Sequence, residues 1–203
     1  MNGPHPLLHG SRDPEQLFAT ALRHWGGHDD AWIFGYASLI WRPEFESIED
    51  RGATVYGWHR ALAMRSRINR GTPECPGLVF ALVAGGSCRG RAYRVERSRV
   101  ESEMRRLWCR EMLTGVYDPK WLPCRTPQGV VRALAFTLSR RSPSHTGALP
   151  DEKMVEILRT ANGRYGSTLS YLVETATTLR NCGIRDRDIE RLVALARRHA
   201  LTA

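Results

Sequence analysis

The sequence predicts a mixed α+β domain, with strands first and helices last. Three observations carry this reading. Between residues 31 and 138, apolar residues alternate or cluster in short blocks bounded by turn formers, the pattern of strands. From residue 151 onward they recur at helical spacing. The 203 residues, 42% of them hydrophobic, suffice for one compact domain with a sizeable core.

Residues 1–30 read as an N-terminal extension with one short helix, and residues 31–203 as the domain proper. Gly, His and Pro dominate the first dozen positions. Asp13-Pro14-Glu15 then offers an N-cap with proline at the first helical position. Leu17, Phe18, Ala21 and Leu22 form an apolar stripe that ends near Gly26-Gly27. A buried strand is expected over 32–34, breaking at Gly35, and a second over 53–65. The segment 66–77 is rich in turn formers and reads as a loop. GLVFALVAGG followed by CRGRAYRV predicts a hairpin turning near Gly85-Gly86.

A helix is expected over 98–111, with Val100, Met104, Leu107 and Trp108 on its apolar face. Strands over 121–126 and 130–138 flank the turn Pro127-Gln128-Gly129. Helices follow over 151–161, 167–181 and 186–200, with Asn181-Cys182-Gly183 as a stop signal.

Composition narrows the function classes. No apolar run approaches the ~20 residues of a membrane helix, and the N-terminus lacks a cationic start with an apolar core. No membrane role and a cytoplasmic location are therefore expected. Cys75, Cys88, Cys109, Cys124 and Cys182 are odd in number and widely spaced, which suits buried thiols rather than disulfides or zinc. The net charge of +9 rests on 30 basic and 21 acidic residues, with only Lys120 and Lys153 as lysines. No basic segment is interleaved with aromatics, so no nucleic-acid partner is expected. A solvated basic surface is favoured first, and steering of a small acidic substrate second.

The common catalytic patterns are missing: no nucleophile elbow, zinc-binding H-E-x-x-H, phosphate loop or dinucleotide fingerprint. The seven histidines are scattered, and no metal site is expected. Two segments stand out. In Gly35-Tyr36-Ala37-Ser38-Leu39 a buried strand runs into small residues, which suits backbone N–H groups turned toward an anion. An ordinary strand-to-loop turn is the alternative. In 108–117, Glu111 sits at a helix C-terminus among apolar residues, ahead of a glycine turn and Tyr117. Both the dipole and desolvation raise a carboxylate pKa and make a better base near neutral pH. A solvated glutamate paired with arginine is the alternative there.

GYASLIWRP at 35–43, RGTPECPGLV at 70–79, REMLTGVYDPKWL at 110–122 and GSTLSYL at 166–172 together resemble the ChaC-type γ-glutamyl cyclotransferases. The match runs from about Trp32 to the C-terminus, and four segments in one order are far more specific than any one alone. The resemblance implies a γ-glutamyl cyclotransferase-like mixed sheet or small barrel, with flanking helices and a helical C-terminal third. It implies cleavage of glutathione to 5-oxoproline and Cys-Gly, with no metal and no redox cofactor. The family's γ-glutamyl-binding loop falls on Tyr36, Ala37, Ser38 and Leu39, and its catalytic glutamate on Glu111. Ala37 stands where the family carries glycine; a negative φ there would make alanine tolerable.

Such a reaction is an internal aminolysis. The α-amino group attacks its own γ-carbonyl, and Glu111 relays the proton to the leaving nitrogen. Further candidates are Tyr117 and Tyr171 on the pocket wall and Arg70 for the substrate's glycine carboxylate. Structural roles for these three are equally compatible with the sequence. The chain is expected to act as a monomer or weak dimer. The rival reading is a non-catalytic γ-glutamyl-peptide binder or a regulator linked to cation transport.

Overall fold

A computed structural model describes residues 13–202; the Gly-, His- and Pro-rich first dozen lie outside the described residues. Helix α1 (Pro14–Trp25) starts where the capping signal lies, with the Asp13 carboxylate accepting from the Glu15 N–H at 2.9 Å. Phe18 and Ala21 are its buried face. The helix is fastened to the domain: the Trp108 indole donates to the Pro14 carbonyl at 2.7 Å, and the Trp121 indole to that of Ala21 at 3.1 Å.

Strand β1 (Ala31–Gly35) leads into the one-turn helix α2 (Ser38–Trp41), within a segment the sequence reads as loop. The long strands β2 (Glu49–Ser66) and β3 (Gly77–Val95) follow, then a 3₁₀ turn (Arg97–Arg99) and helix α3 (Val100–Glu111). Strands β4 (Asp118–Thr126) and β5 (Gly129–Leu138) form a hairpin. The five strands close into a barrel in the order β1-β3-β2-β4-β5, with parallel pairs joining β5 to β1 and β3.

The hairpin expected at Gly85-Gly86 is not formed. β3 runs straight through these glycines, and its antiparallel partner along its whole length is β2. Between the pairs Tyr56–Ser87 and Trp58–Ala84, Gly57 faces both Gly85 and Gly86. All three have positive φ, at 80°, 106° and 72°. The glycine pair thus makes a β-bulge that bends two long strands around the barrel, not a chain reversal.

The C-terminal third is helical: α4 (Asp151–Thr160), α5 (Thr168–Asn181) and α6 (Arg187–Arg198). Between α4 and α5 lies a two-residue ladder, β6 (Asn162–Gly163) and β7 (Gly166–Ser167). Two apolar cores result. One lies inside the barrel and under α4–α6, with Phe34, Leu78, Phe80, Leu82 and Leu158 among its fully buried side chains. The other joins α1 and α3 to the barrel's outer face through Phe18, Met104, Leu107, Trp108 and Phe136. Among the described residues no helix is long and apolar enough to cross a membrane.

Candidate active site

The apolar face of α3 fixes its last residue. Val100, Met104, Leu107 and Trp108 are buried against the barrel. Glu111 follows Trp108 by three positions and Leu107 by four, so it projects from the same face. There it meets a narrow pocket lined by Tyr36, Ala37, Ser38, Leu39, Phe80, Glu111, Tyr117, Phe136 and Tyr171. Seven of the residues singled out in the sequence are therefore brought together from the link after β1, α2, α3, the segment before β4, and α5.

Each wall has a local cause. β1 pairs with β5 only at Trp32 and Ile33, so the two strands part beyond that point. In the gap the Tyr36 hydroxyl donates to the Phe136 carbonyl at 2.8 Å. β3 pairs with β5 only at Leu82 and Val83, and Phe80 lies ahead of that contact. Its carbonyl accepts from the Tyr117 hydroxyl at 3.3 Å, and its N–H donates to the Tyr171 hydroxyl. Tyr117 and Tyr36 are also hydrogen-bonded to each other. Ala37 has φ −145°, so no left-handed residue is needed and alanine stands without that strain.

The Glu111 side chain is 15% exposed. Burial holds its carboxyl above the usual carboxylate range, and the Glu44 charge pushes the same way; the neighbouring Arg110 partly offsets both. Arg110 Nε lies 3.1 Å from Glu111 Oε1. The same guanidinium bonds the Glu44 carboxylate at 3.0 Å and the Arg42 carbonyl. Burial raises all three pocket tyrosines, with the Glu111 charge adding to each; Tyr171 is pushed up to about 12. They therefore remain protonated hydroxyl groups through the neutral range.

Arg70 takes a different place. It does not line the pocket; its guanidinium lies 4.9 Å from the centre of the Tyr171 ring. It donates to the Tyr165 carbonyl at 2.5 Å and approaches the Ser170 hydroxyl at 3.4 Å. Thr168 secures the arrangement by accepting from the Leu78 N–H at 3.0 Å and donating to the Arg70 carbonyl at 3.2 Å. Tyr171 stands one turn further along α5.

Phe80, Phe136 and Arg110 carry no mark in the sequence that singles them out. The two phenylalanines sit in ordinary strand runs, and their contribution is partly through backbone groups that no pattern marks. Arg110 was visible only as the neighbour of Glu111.

The ChaC-like protein family model matches residues 31–199. The chain is 36% identical over 163 residues to the glutathione-specific gamma-glutamylcyclotransferase of Escherichia coli, covering 80% of this chain and 71% of that protein. It is 32% identical over 178 residues to the human glutathione-specific gamma-glutamylcyclotransferase 1, covering 85% and 80% respectively. A crystal structure of a gamma-glutamyl cyclotransferase specific to glutathione from yeast superimposes with a TM-score of 0.76 at 16% identity, covering 84% of this chain and 97% of that one. The fold is thus that of the gamma-glutamyl cyclotransferases, and by the extent of the sequence match the chain belongs to the ChaC-like family.

Proposed function

We propose that this chain is a γ-glutamyl cyclotransferase that acts on glutathione and releases 5-oxoproline and Cys-Gly. The observation that carries the reading is the meeting of Glu111 with the 36–39 segment in one pocket. The γ-glutamyl end occupies it, and Cys-Gly extends through the mouth.

In the pocket the γ-glutamyl group is folded so that its α-nitrogen faces its own γ-carbonyl carbon. Glu111 accepts the proton that the α-ammonium must lose before it can attack. The lactam C–N bond forms, the α-nitrogen gives up its second proton, and the bond to the cysteinyl nitrogen breaks as Glu111 passes both protons in turn to that leaving nitrogen, which departs as the ammonium of Cys-Gly. No water is consumed. The tethered nucleophile makes positioning the main task, and a wall of tyrosines is suited to it. The Tyr171 hydroxyl is the donor to the reacting amide oxygen, since those of Tyr36 and Tyr117 donate to backbone carbonyls, and backbone N–H groups of 36–39 hold the α-carboxylate. The reading includes a cytoplasmic location, with which five unpaired cysteines agree.

Incubation of the purified protein with glutathione, with 5-oxoproline measured, tests the reading. Glu111→Gln is expected to lower turnover by about 10²–10⁴, the usual contribution of a positioned base. A fully active Glu111→Gln would remove the base from the mechanism. An inert wild type, tested on several γ-glutamyl compounds, would favour a binder or regulator.

A further inference from the structure

β1 pairs with β3 as far as Gly35–Arg91, and then the chain leaves the barrel to form the pocket wall. The departure leaves carbonyls of the two parting strands facing a common gap. Arg60, from β2, fills it. Its Nη1 donates to the Tyr36 carbonyl at 2.8 Å and its Nη2 to the Arg89 carbonyl at 2.7 Å. Its Nε faces Asp186 Oδ2 at 3.3 Å. The side chain is 1% exposed and does not line the pocket. An arginine is suited to this place because its planar fork reaches three acceptors at once, which a lysine ammonium on a single stem does not.

The consequence follows from peptide geometry. In a trans peptide the carbonyl and the next N–H point in opposite directions. Drawing the Tyr36 carbonyl back toward Arg60 turns the Ala37 N–H the other way, toward the pocket that Tyr36, Ala37 and Ser38 line. Asp186 anchors the device at its rear. It caps α6 through Oδ1, which accepts from the Ile189 N–H at 3.2 Å, while Oδ2 faces Arg60.

We infer that Arg60 is a positioning residue: it fixes the Tyr36–Ala37 peptide plane so that the Ala37 N–H meets the α-carboxylate of the γ-glutamyl group. This rests on the function proposed above. The probes are 5-oxoproline, which keeps that carboxylate, and 2-pyrrolidinone, the same ring without it. For Arg60→Lys the inhibition constant of 5-oxoproline and the KM for glutathione are expected to rise roughly tenfold. The 2-pyrrolidinone constant and the acid limb of the pH profile are expected to stay in place. A merely structural role would lower the active fraction and kcat while leaving both inhibition constants unmoved, and that result overturns the inference. Asp186→Asn keeps an α6 cap and both carbonyl bonds, so it should raise the 5-oxoproline constant less than threefold. An effect as large as that of Arg60→Lys would assign the role to α6 docking instead.

A measurement on the wild type is independent of any folding defect. The Ala37 amide resonance should shift with 5-oxoproline and not with 2-pyrrolidinone; an unmoved Ala37 amide sinks the proposal. A wild type that binds 5-oxoproline with that shift but leaves glutathione intact would overturn the catalytic reading alone. A wild type that binds neither would overturn both.

Discussion

Arg110 Nε stands 3.1 Å from Glu111 Oε1, so the carboxylate at the end of α3 carries its own counter-charge on the preceding residue. Burial works to keep Glu111 protonated, while Arg110 works to ionise it. Burial prevails, and the group titrates above the ordinary carboxylate value of 4.5.

A base acts only when deprotonated, so activity should rise with pH through the raised Glu111 value and give an acid limb above 4.5. Arg110→Gln removes the opposing charge and should move that limb to higher pH. A pH–kcat/KM profile of both proteins checks this; a limb that stays in place or falls contradicts the assignment of Glu111 as the base.

The same shift bears on stability. A raised carboxyl pKa means the folded state binds its proton more tightly than the unfolded chain, so stability is lost as pH rises from the unfolded value through the folded one. Glu111→Gln abolishes that loss, and Arg110 keeps Glu44 as a partner. The variant should unfold at pH 7 at a temperature no lower than wild type, though nearly inactive. Thermal unfolding at pH 4 and pH 7 provides the comparison.

Tyr36→Phe leaves the buried Phe136 carbonyl without the hydroxyl that now donates to it at 2.8 Å. An unsatisfied buried acceptor costs about 1–3 kcal/mol. The unfolding midpoint should fall by roughly 2–10 °C for a chain of this size. Turnover should fall as well, because the same hydroxyl joins Tyr117 to the wall. Calorimetry and a glutathione assay on one preparation separate the two effects.

Arg70→Lys distinguishes two roles. If Arg70 met the glycine carboxylate, the variant would be impaired on glutathione and normal on γ-glutamylcysteine, which has no glycine. Its contact with Tyr171 at 4.9 Å predicts instead an equal loss on both. Such stacking is worth about 0.5–2 kcal/mol, or roughly 2–30-fold. Kinetics with the two substrates decides.

Gly90→Ala should disturb the pocket from behind. A Cβ there would stand 2.3 Å from the Gly35 carbonyl oxygen and 2.9 Å from Phe34 Cζ, forcing β1 away from β3 where the wall begins. Overpacking of this kind costs about 1–3 kcal/mol. Lower thermal stability together with a raised KM is expected; a variant matching wild type in both would show that the strands part freely at this point.

The sequence by itself determined the elements whose causes are local. The capped start of α1, the amphipathic faces of α3 to α6 and the strand–turn–strand run of β4 and β5 depend on neighbours within a few residues, so they were legible. The meaning of the four family segments was legible as well, because their order and spacing are properties of the chain. The error at Gly85-Gly86 marks the limit. Two glycines with positive φ serve a turn or a bulge equally well, and only pairing with Gly57 on β2 decides between them. Tertiary structure alone gave Phe80 and Phe136 their place, because what they offer includes carbonyls freed where strands diverge. It also set the pKa of Glu111, which depends on burial among residues that the chain brings together from five separate segments.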